Sequence, residues 1–194
     1  MKTYAPGGAD AAAAGTEDAA LERLRYPIGR FREDPHPTPE KHQRWIDRIA
    51  ALPAELRTLV QDLSDRQLDT PYRPGGWTVR QVVHHLPDSH VNAYVRTKLA
   101  LTEEAPTIKP YDQEAWAGLP DAGTEPPEVS LRLLEGLHAR WAAMLRSLDE
   151  PALLRALHHP EVGTITVGWI IQSYAWHGSH HHAHIANLRT RMGW

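Results

Sequence analysis

The chain has 194 residues, a formal net charge of −3 and no cysteine. This length suits one domain with tails, and the lack of cysteine excludes disulfides, cysteine-ligated zinc and a thiol nucleophile on the protein itself. No block of Lys or Arg stands out, and no apolar run approaches the ~20 residues of a membrane span. We therefore expect a small-molecule substrate, with neither nucleic acid nor a membrane as a partner.

The N-terminal residues 1–24 are rich in Ala, Gly and Asp, a composition typical of a flexible extension. Its apolar run, Ala11 to Ala14, is too short for a secretory signal peptide. We expect a cytoplasmic protein with one folded domain at residues 25–194.

Four long segments have apolar residues every three or four positions, which predicts amphipathic helices. The first begins at Thr38, an N-cap followed by Pro39, and Pro53 should kink it. The second begins at Thr78, which has capping-box spacing to Gln81. Its apolar stripe and the proline that should distort it locally are Val79, Val82, Val83, Leu86 and Pro87.

The third predicted helix runs from about Glu128 to Leu148, and a short helical piece follows from Pro151 to Leu157. The fourth spans Val167 to Arg191. No segment alternates convincingly with period two, so we predict an all-α four-helix bundle. The long connection at about 109–127 should cover one end of this bundle.

Five of the 13 histidines fall between His177 and His184. Two His-x-x-x-His pairs result, His177 with His181 and His180 with His184, and each pair shares one helix face. This spacing alone is a weak signal, because five histidines in eight residues produce it by chance. The alternative is a solvated polar tract that binds metal only adventitiously.

The apolar stripe of the last helix favours a metal site. His177 and His181 continue its inward line, whereas His180 and His182 lie off that line and should be exposed. No Asp or Glu between residues 164 and 194 could satisfy two inward imidazoles. A divalent metal ion would satisfy them directly.

A third ligand is expected from the second helix, which offers three histidines. His84 shares a face with Gln81 and Asp88 and should be solvated. His85 flanks the apolar stripe, and His90 lies on it as a rival ligand or as a core histidine bonded to a carboxylate. The pattern leaves both His85 and His90 open. His158 and His159 could support the site without binding the metal. The remaining histidines are expected at the surface or in the segment that leads into the first helix, and these are His36, His42 and His138.

Three stretches resemble the YfiT-type proteins of the DinB/YfiT-like four-helix-bundle superfamily, a group regarded as metal-dependent hydrolases. They are DTPYRPGGWTVRQVVHHLPDSHVNAY from Asp69, KPYDQEAW from Lys109 and YAWHGSHHHAHI from Tyr174. The resemblance implies a cytoplasmic homodimer that binds zinc or nickel through His85, His177 and His181. It leaves open whether His90 or His184 contributes. Pro87 and His182 depart from the family pattern.

Three functions are compatible with these ligands. A metal with an open position could activate water in a hydrolase, for which Asp88, Asp112 and Glu114 are candidate bases. The resemblance also implies a transferase that adds a low-molecular-weight, bacillithiol-like thiol to electrophiles, with Arg96 or Lys98 holding an anionic cofactor. A non-catalytic module, in which the metal only ties two helices together, is the third.

Overall fold

Four long helices form the bundle in the computed structural model, which describes residues 19–194. After a helical segment at residues 19–25, the helices in chain order are α1 Pro39–Val60, α2 Asp65–Leu68, α3 Val79–Thr102, α4 Gln113–Ala117, α5 Pro120–Thr124, α6 Pro127–Arg146, α7 Glu150–Leu153 and α8 Val167–Met192. The long ones, α1, α3, α6 and α8, lie where the apolar periodicity predicts them. The all-α bundle prediction is therefore confirmed.

The predicted helix starts have the expected caps. The Thr38 side chain accepts a hydrogen bond from the backbone of Lys41, and Thr78 forms a complete capping box with Gln81. These caps satisfy N–H groups that the first helical turn leaves without partners. Pro53 and Pro87 lie inside α1 and α3, which continue through them.

Each long helix packs closely on two others. Helix α1 packs on α6 and α8, and α3 packs on the same two helices. Helices that follow one another among the four long ones, α1 and α3 or α6 and α8, therefore face each other diagonally. This arrangement makes α3 and α8, which carry the candidate metal ligands, direct neighbours.

A short antiparallel hairpin was not predicted. Strand β1, Ala156–His159, pairs with β2, Gly163–Thr166. The expected short helix is present as α7, but it ends at Leu153, and its predicted extension through Leu157 is wrong because Leu157 is buried in β1. The backbone N–H of Ile108 donates to the carbonyl of His158 at 3.0 Å, so part of the strand's pairing comes from distant residues. Four-residue strands are also too short to show a clear alternation.

The apolar core consists of two clusters separated along the bundle by histidines. One includes Ile49, Trp141 and Ile170, and the other includes Leu56, Leu86 and Ile185. Between residues of the two clusters lie His90 on α3, His138 on α6, and His177 and His181 on α8, and His85 adjoins Leu86, the last α3 residue of the second cluster. We call these five residues the histidine layer.

The expected N-terminal extension lies mostly outside the described residues, and residues 19–25 are helical. The connection at 109–127 contains α4 and α5 and lies against the N-terminal half of α3. There Gln81 Nε2 donates to the carbonyl of Ala117 at 2.8 Å. Within residues 19–194, none of the helices combines the length and the apolar character that a membrane crossing requires.

Candidate metal centre

Helix α3 holds His85 beside its apolar stripe, within the bundle interior. Val82, Val83 and Leu86 around it are fully buried, and His85 itself is 3% exposed. The ring of Trp77, just before the helix, lies with its centroid 4.6 Å from that of His85. Packing therefore limits the orientations open to this imidazole.

Helix α8 places His177 and His181 one turn apart on the side facing α3. Their ring centroids are 4.6 Å apart, and the His85 centroid is 5.4 Å from His177 and 4.9 Å from His181. Gly178 lets α8 approach α1 here, since a Cβ at this position would lie 2.6 Å from Leu52 Cδ2. A small residue next to a predicted ligand thus brings α8 close to α1.

The three predicted ligands converge. Each of His85, His177 and His181 offers a nitrogen, and these nitrogens all lie within 4.8 Å of one another. The Nε2 atoms of His85 and His177 are 3.3 Å apart. Two nitrogens bound to one tetrahedral zinc at about 2.0–2.1 Å would be separated by about 3.3–3.4 Å. The donor set and its spacing therefore fit a divalent ion.

Burial keeps these imidazoles in the neutral form that metal binding needs. It lowers the pKa of His85 to about 4. Burial, followed by repulsion from neighbouring imidazoles, lowers the pKa of His177 and His181 well below the usual value. Their nitrogens are therefore available as ligands at neutral pH.

Two clefts meet at His177. The larger, of about 620 Å³, is lined by residues that include Arg96, Tyr111, Trp169 and Tyr174. The smaller, of about 300 Å³, is lined by residues that include Tyr72, Trp77, Glu114 and His181. Gln113, Trp176 and His177 line both clefts. The candidate centre is thus accessible to small molecules from two sides.

The carboxylate of Glu114 lines the smaller cleft together with His177 and His181. Glu114 accepts a hydrogen bond of 2.9 Å from the indole N–H of Trp77, which itself packs on His85. It is the only Asp or Glu among the described residues lining the smaller cleft. Of the other candidate bases, Asp112 lines the larger cleft and caps α4. Burial raises the pKa of Asp88 to about 6.

Three histidine predictions are wrong. His84, expected to be solvated, is 6% exposed, and its ring nitrogens contact Ser130 Oγ at 2.7 Å and the Glu125 carbonyl at 2.9 Å. His180, expected to be exposed, is buried against Trp176 and Tyr26. Each ring has one contact outside the four predicted helices, Glu125 for His84 and Tyr26 for His180, and periodicity within one helix does not reveal such contacts.

His138 is the third wrong prediction. It was expected at the surface, but it is 1% exposed and belongs to the histidine layer. Its position one turn after Leu134 and three residues before Trp141, on the apolar face of α6, was a signal that the sequence offered. His182, also expected to be exposed, is half-buried, and His184 is buried with Nε2 donating to the Arg25 carbonyl at 3.0 Å.

His90 was expected to be either a rival ligand or a core histidine bonded to a carboxylate. It is a core histidine, but its partners are other imidazoles. It is fully buried, with Nδ1 2.8 Å from His138 Nε2 and Nε2 3.1 Å from His177 Nδ1. Of the loop histidines, His159 lines the larger cleft, whereas His158 Nδ1 lies 2.9 Å from Thr164 Oγ1. Neither is among the converging nitrogens.

The sequence of residues 48–185 matches the model of the DinB superfamily. The chain belongs to this superfamily. It is 54% identical over 174 residues to proteins of Bacillus cereus, Bacillus thuringiensis and Bacillus anthracis that are named "Putative metal-dependent hydrolase". Those alignments cover 90% of this chain and 100% of each relative.

A solved structure agrees with this assignment to the DinB superfamily. YfiT from Bacillus subtilis, described as a probable metal-dependent hydrolase with an unusual four-helix bundle topology, is 49% identical. Its superposition has a TM-score of 0.87 and covers 89% of this chain and 99% of YfiT. The predicted YfiT-type resemblance is therefore confirmed.

Proposed function

We propose that this protein is a metal-dependent hydrolase whose divalent ion, zinc or nickel, is held by His85, His177 and His181. The observation that carries the proposal is the convergence of their nitrogens within 4.8 Å at the meeting point of two clefts. Three neutral imidazoles leave a coordination position open, as catalytic sites require. When bound, such an ion supplies Lewis acidity and makes hydroxide available near neutral pH.

The surrounding residues support a small molecule as the substrate. The larger cleft, at about 620 Å³, has the volume and the aromatic lining typical of small-ligand sites. Trp77 shields His85 on the side of the smaller cleft, and Glu114 is positioned to accept a proton there. The family resemblance supports a cytoplasmic homodimer as the working form.

A thiol transferase is the second candidate, and the two clefts favour it. Transfer of a low-molecular-weight, bacillithiol-like thiol to an electrophile requires two substrates, and two clefts share His177. A divalent ion deprotonates a coordinating thiol, so the chain's lack of cysteine is no obstacle. Arg96 lines the larger cleft and could hold an anionic group of either substrate.

A non-catalytic module is the third candidate. The same ion would tie α3 to α8 and stabilise a surface for a partner protein. The open clefts beside His177 weigh against this function, because a purely structural site is expected to be closed around the ion.

The deciding experiment is the metal content of protein purified without a histidine tag, wild type against His85→Ala. We expect about one ion per chain in the wild type and loss of that ion in the variant. Assays with an activated ester, and with a small thiol plus an electrophile, then separate hydrolase from transferase. Wild-type protein that binds no zinc or nickel even on titration would contradict the proposal.

A further inference from the structure

A chain of contacts between imidazoles runs from the candidate centre across the bundle. His177 Nδ1 on α8 lies 3.1 Å from His90 Nε2 on α3, and His90 Nδ1 lies 2.8 Å from His138 Nε2 on α6. His138 Nδ1 then lies 2.6 Å from the carbonyl oxygen of Ile49 on α1. Each of the four long helices contributes one residue.

The carbonyl at the end of this chain determines the position of every proton. A carbonyl oxygen only accepts, so His138 Nδ1 carries a hydrogen and its Nε2, in the neutral ring, accepts from His90 Nδ1. His90 Nε2 is then the acceptor for Nδ1–H of His177. A second proton on His138 or His90 would set two N–H groups against each other, so the geometry requires neutral rings.

This arrangement of protons determines the tautomer of the candidate ligand His177. With its hydrogen held on Nδ1, neutral His177 has its lone pair on Nε2, which is the atom 3.3 Å from His85 Nε2. Metal-binding histidines usually donate their other N–H to a carboxylate, a backbone carbonyl or water. Here the backbone carbonyl is reached indirectly, through two further imidazoles.

We propose that His90 and His138 are positioning residues that set the tautomer and ring orientation of His177 for metal binding. They do not bind the ion themselves, because both nitrogens of each ring are already hydrogen-bonded to a neighbouring imidazole or to the Ile49 carbonyl. The proposal rests on the proposed three-histidine site and adds to it two buried residues outside the converging set. This series of hydrogen bonds, which we call the imidazole relay, also explains how polar rings of the histidine layer can be buried between two apolar clusters, because their nitrogens have partners.

Matched variants at His90 separate this role from simple packing. The amide oxygen of His90→Gln can occupy the place of Nε2 and accept from His177, whereas the shorter His90→Asn cannot reach it. We expect His90→Asn to weaken zinc or nickel binding by about 10–100-fold, measured by competition with a chelator. His90→Gln should restore binding to within a few-fold of wild type. An equal loss in both variants would overturn the acceptor role.

His138 provides an indirect test, because it contacts His90 and not His177. His138→Gln can still accept from His90, whereas His138→Leu leaves His90 Nδ1 without an acceptor. We expect weaker metal binding only in His138→Leu. His84→Gln is the control, since His84 is also buried on α3 but its contacts lie outside the chain of imidazoles. It should change thermal stability and leave metal affinity near that of the wild type.

The tautomer itself can be observed without metal. Two-bond ¹H–¹⁵N correlations of metal-free protein should show His177 with its hydrogen on Nδ1, and in His138→Leu a shift toward Nε2–H. An Nε2–H tautomer in the wild type, or wild-type metal affinity in both His90→Asn and His138→Leu, would overturn the proposal. Should the wild type bind no metal, the proposed function fails, whereas this spectrum still tests the relay.

Discussion

The indole N–H of Trp77 donates a 2.9 Å hydrogen bond to the carboxylate of Glu114. Trp77 also packs on His85, and its ring lies nearly parallel to that of His181 with a centroid separation of 6.2 Å. The bond therefore ties the connection between α3 and α6 to the candidate metal centre. It leaves a carboxylate at the wall of the smaller cleft.

Glu114→Gln tests whether this carboxylate accepts a proton during turnover. The amide can still accept from Trp77, so we expect unchanged metal stoichiometry and a kcat/KM lowered by about 10²-fold or more. The control is Glu125→Gln, an exposed side chain on the same connection that lines neither cleft. Equal activity in the two variants would remove Glu114 from the mechanism.

Substitution of the histidines on α8 should separate ligands from neighbours. His177→Ala or His181→Ala should abolish stoichiometric zinc or nickel binding, because each removes one of three converging nitrogens. His182→Ala should keep it, since His182 lies in a different cleft near Glu55. Equilibrium dialysis with metal analysis measures the stoichiometry. A full equivalent of metal in both His177→Ala and His181→Ala would refute the assignment.

Removal of the metal should lower stability without unfolding the protein. Each of the two apolar clusters contains buried side chains from all four long helices, so most of the core that holds the bundle together lies apart from the candidate ligands. Added zinc at 100 times its Kd should raise the free energy of unfolding by about 2.7 kcal/mol. Thermal unfolding followed by circular dichroism, with and without chelator, checks this; complete loss of helicity in the chelated protein would contradict it.

Two glycines should respond oppositely to an added methyl group. At Gly136 in α6 a Cβ would meet no neighbouring atom within 4 Å, so Gly136→Ala should raise the free energy of unfolding by up to about 1 kcal/mol. At Gly178 the added Cβ would lie 2.6 Å from buried Leu52, so Gly178→Ala should lower it by about 1–2 kcal/mol. Urea denaturation of both variants measures the difference. Stabilisation by Gly178→Ala would show that Leu52 repacks freely.

Acid should destabilise the metal-free protein. Burial lowers the pKa of His138 to about 4 in the folded state, whereas an unfolded histidine titrates near about 6.5. Between these values the unfolded chain binds the proton that the folded one excludes, so stability falls as pH drops from about 6.5 toward 4. Denaturant titrations across this range should show the fall, and His138→Gln should make it shallower. A flat profile in the wild type would contradict it.

The amino-acid sequence determined the architecture and much of the candidate site. Apolar periodicity located the four long helices, and the caps at Thr38 and Thr78 located two of their starts. The inward line of α8 selected His177 and His181. Such features are predictable because they depend on residues within about one or two turns of each other.

The apolar pattern could not distinguish His85 from His90, since both lie near the apolar stripe of α3, and only the family resemblance named His85 as a ligand. Only the packing of α3 against α8 brings His85 Nε2 to 3.3 Å from His177 Nε2 and leaves His90 behind that ring. The partners of His138 come from α1 and α3, 89 and 48 residues away in the chain. Periodicity shows which face of a helix is covered, but the hydrogen-bond partners of a buried imidazole are supplied by other helices and become known only when these are packed together.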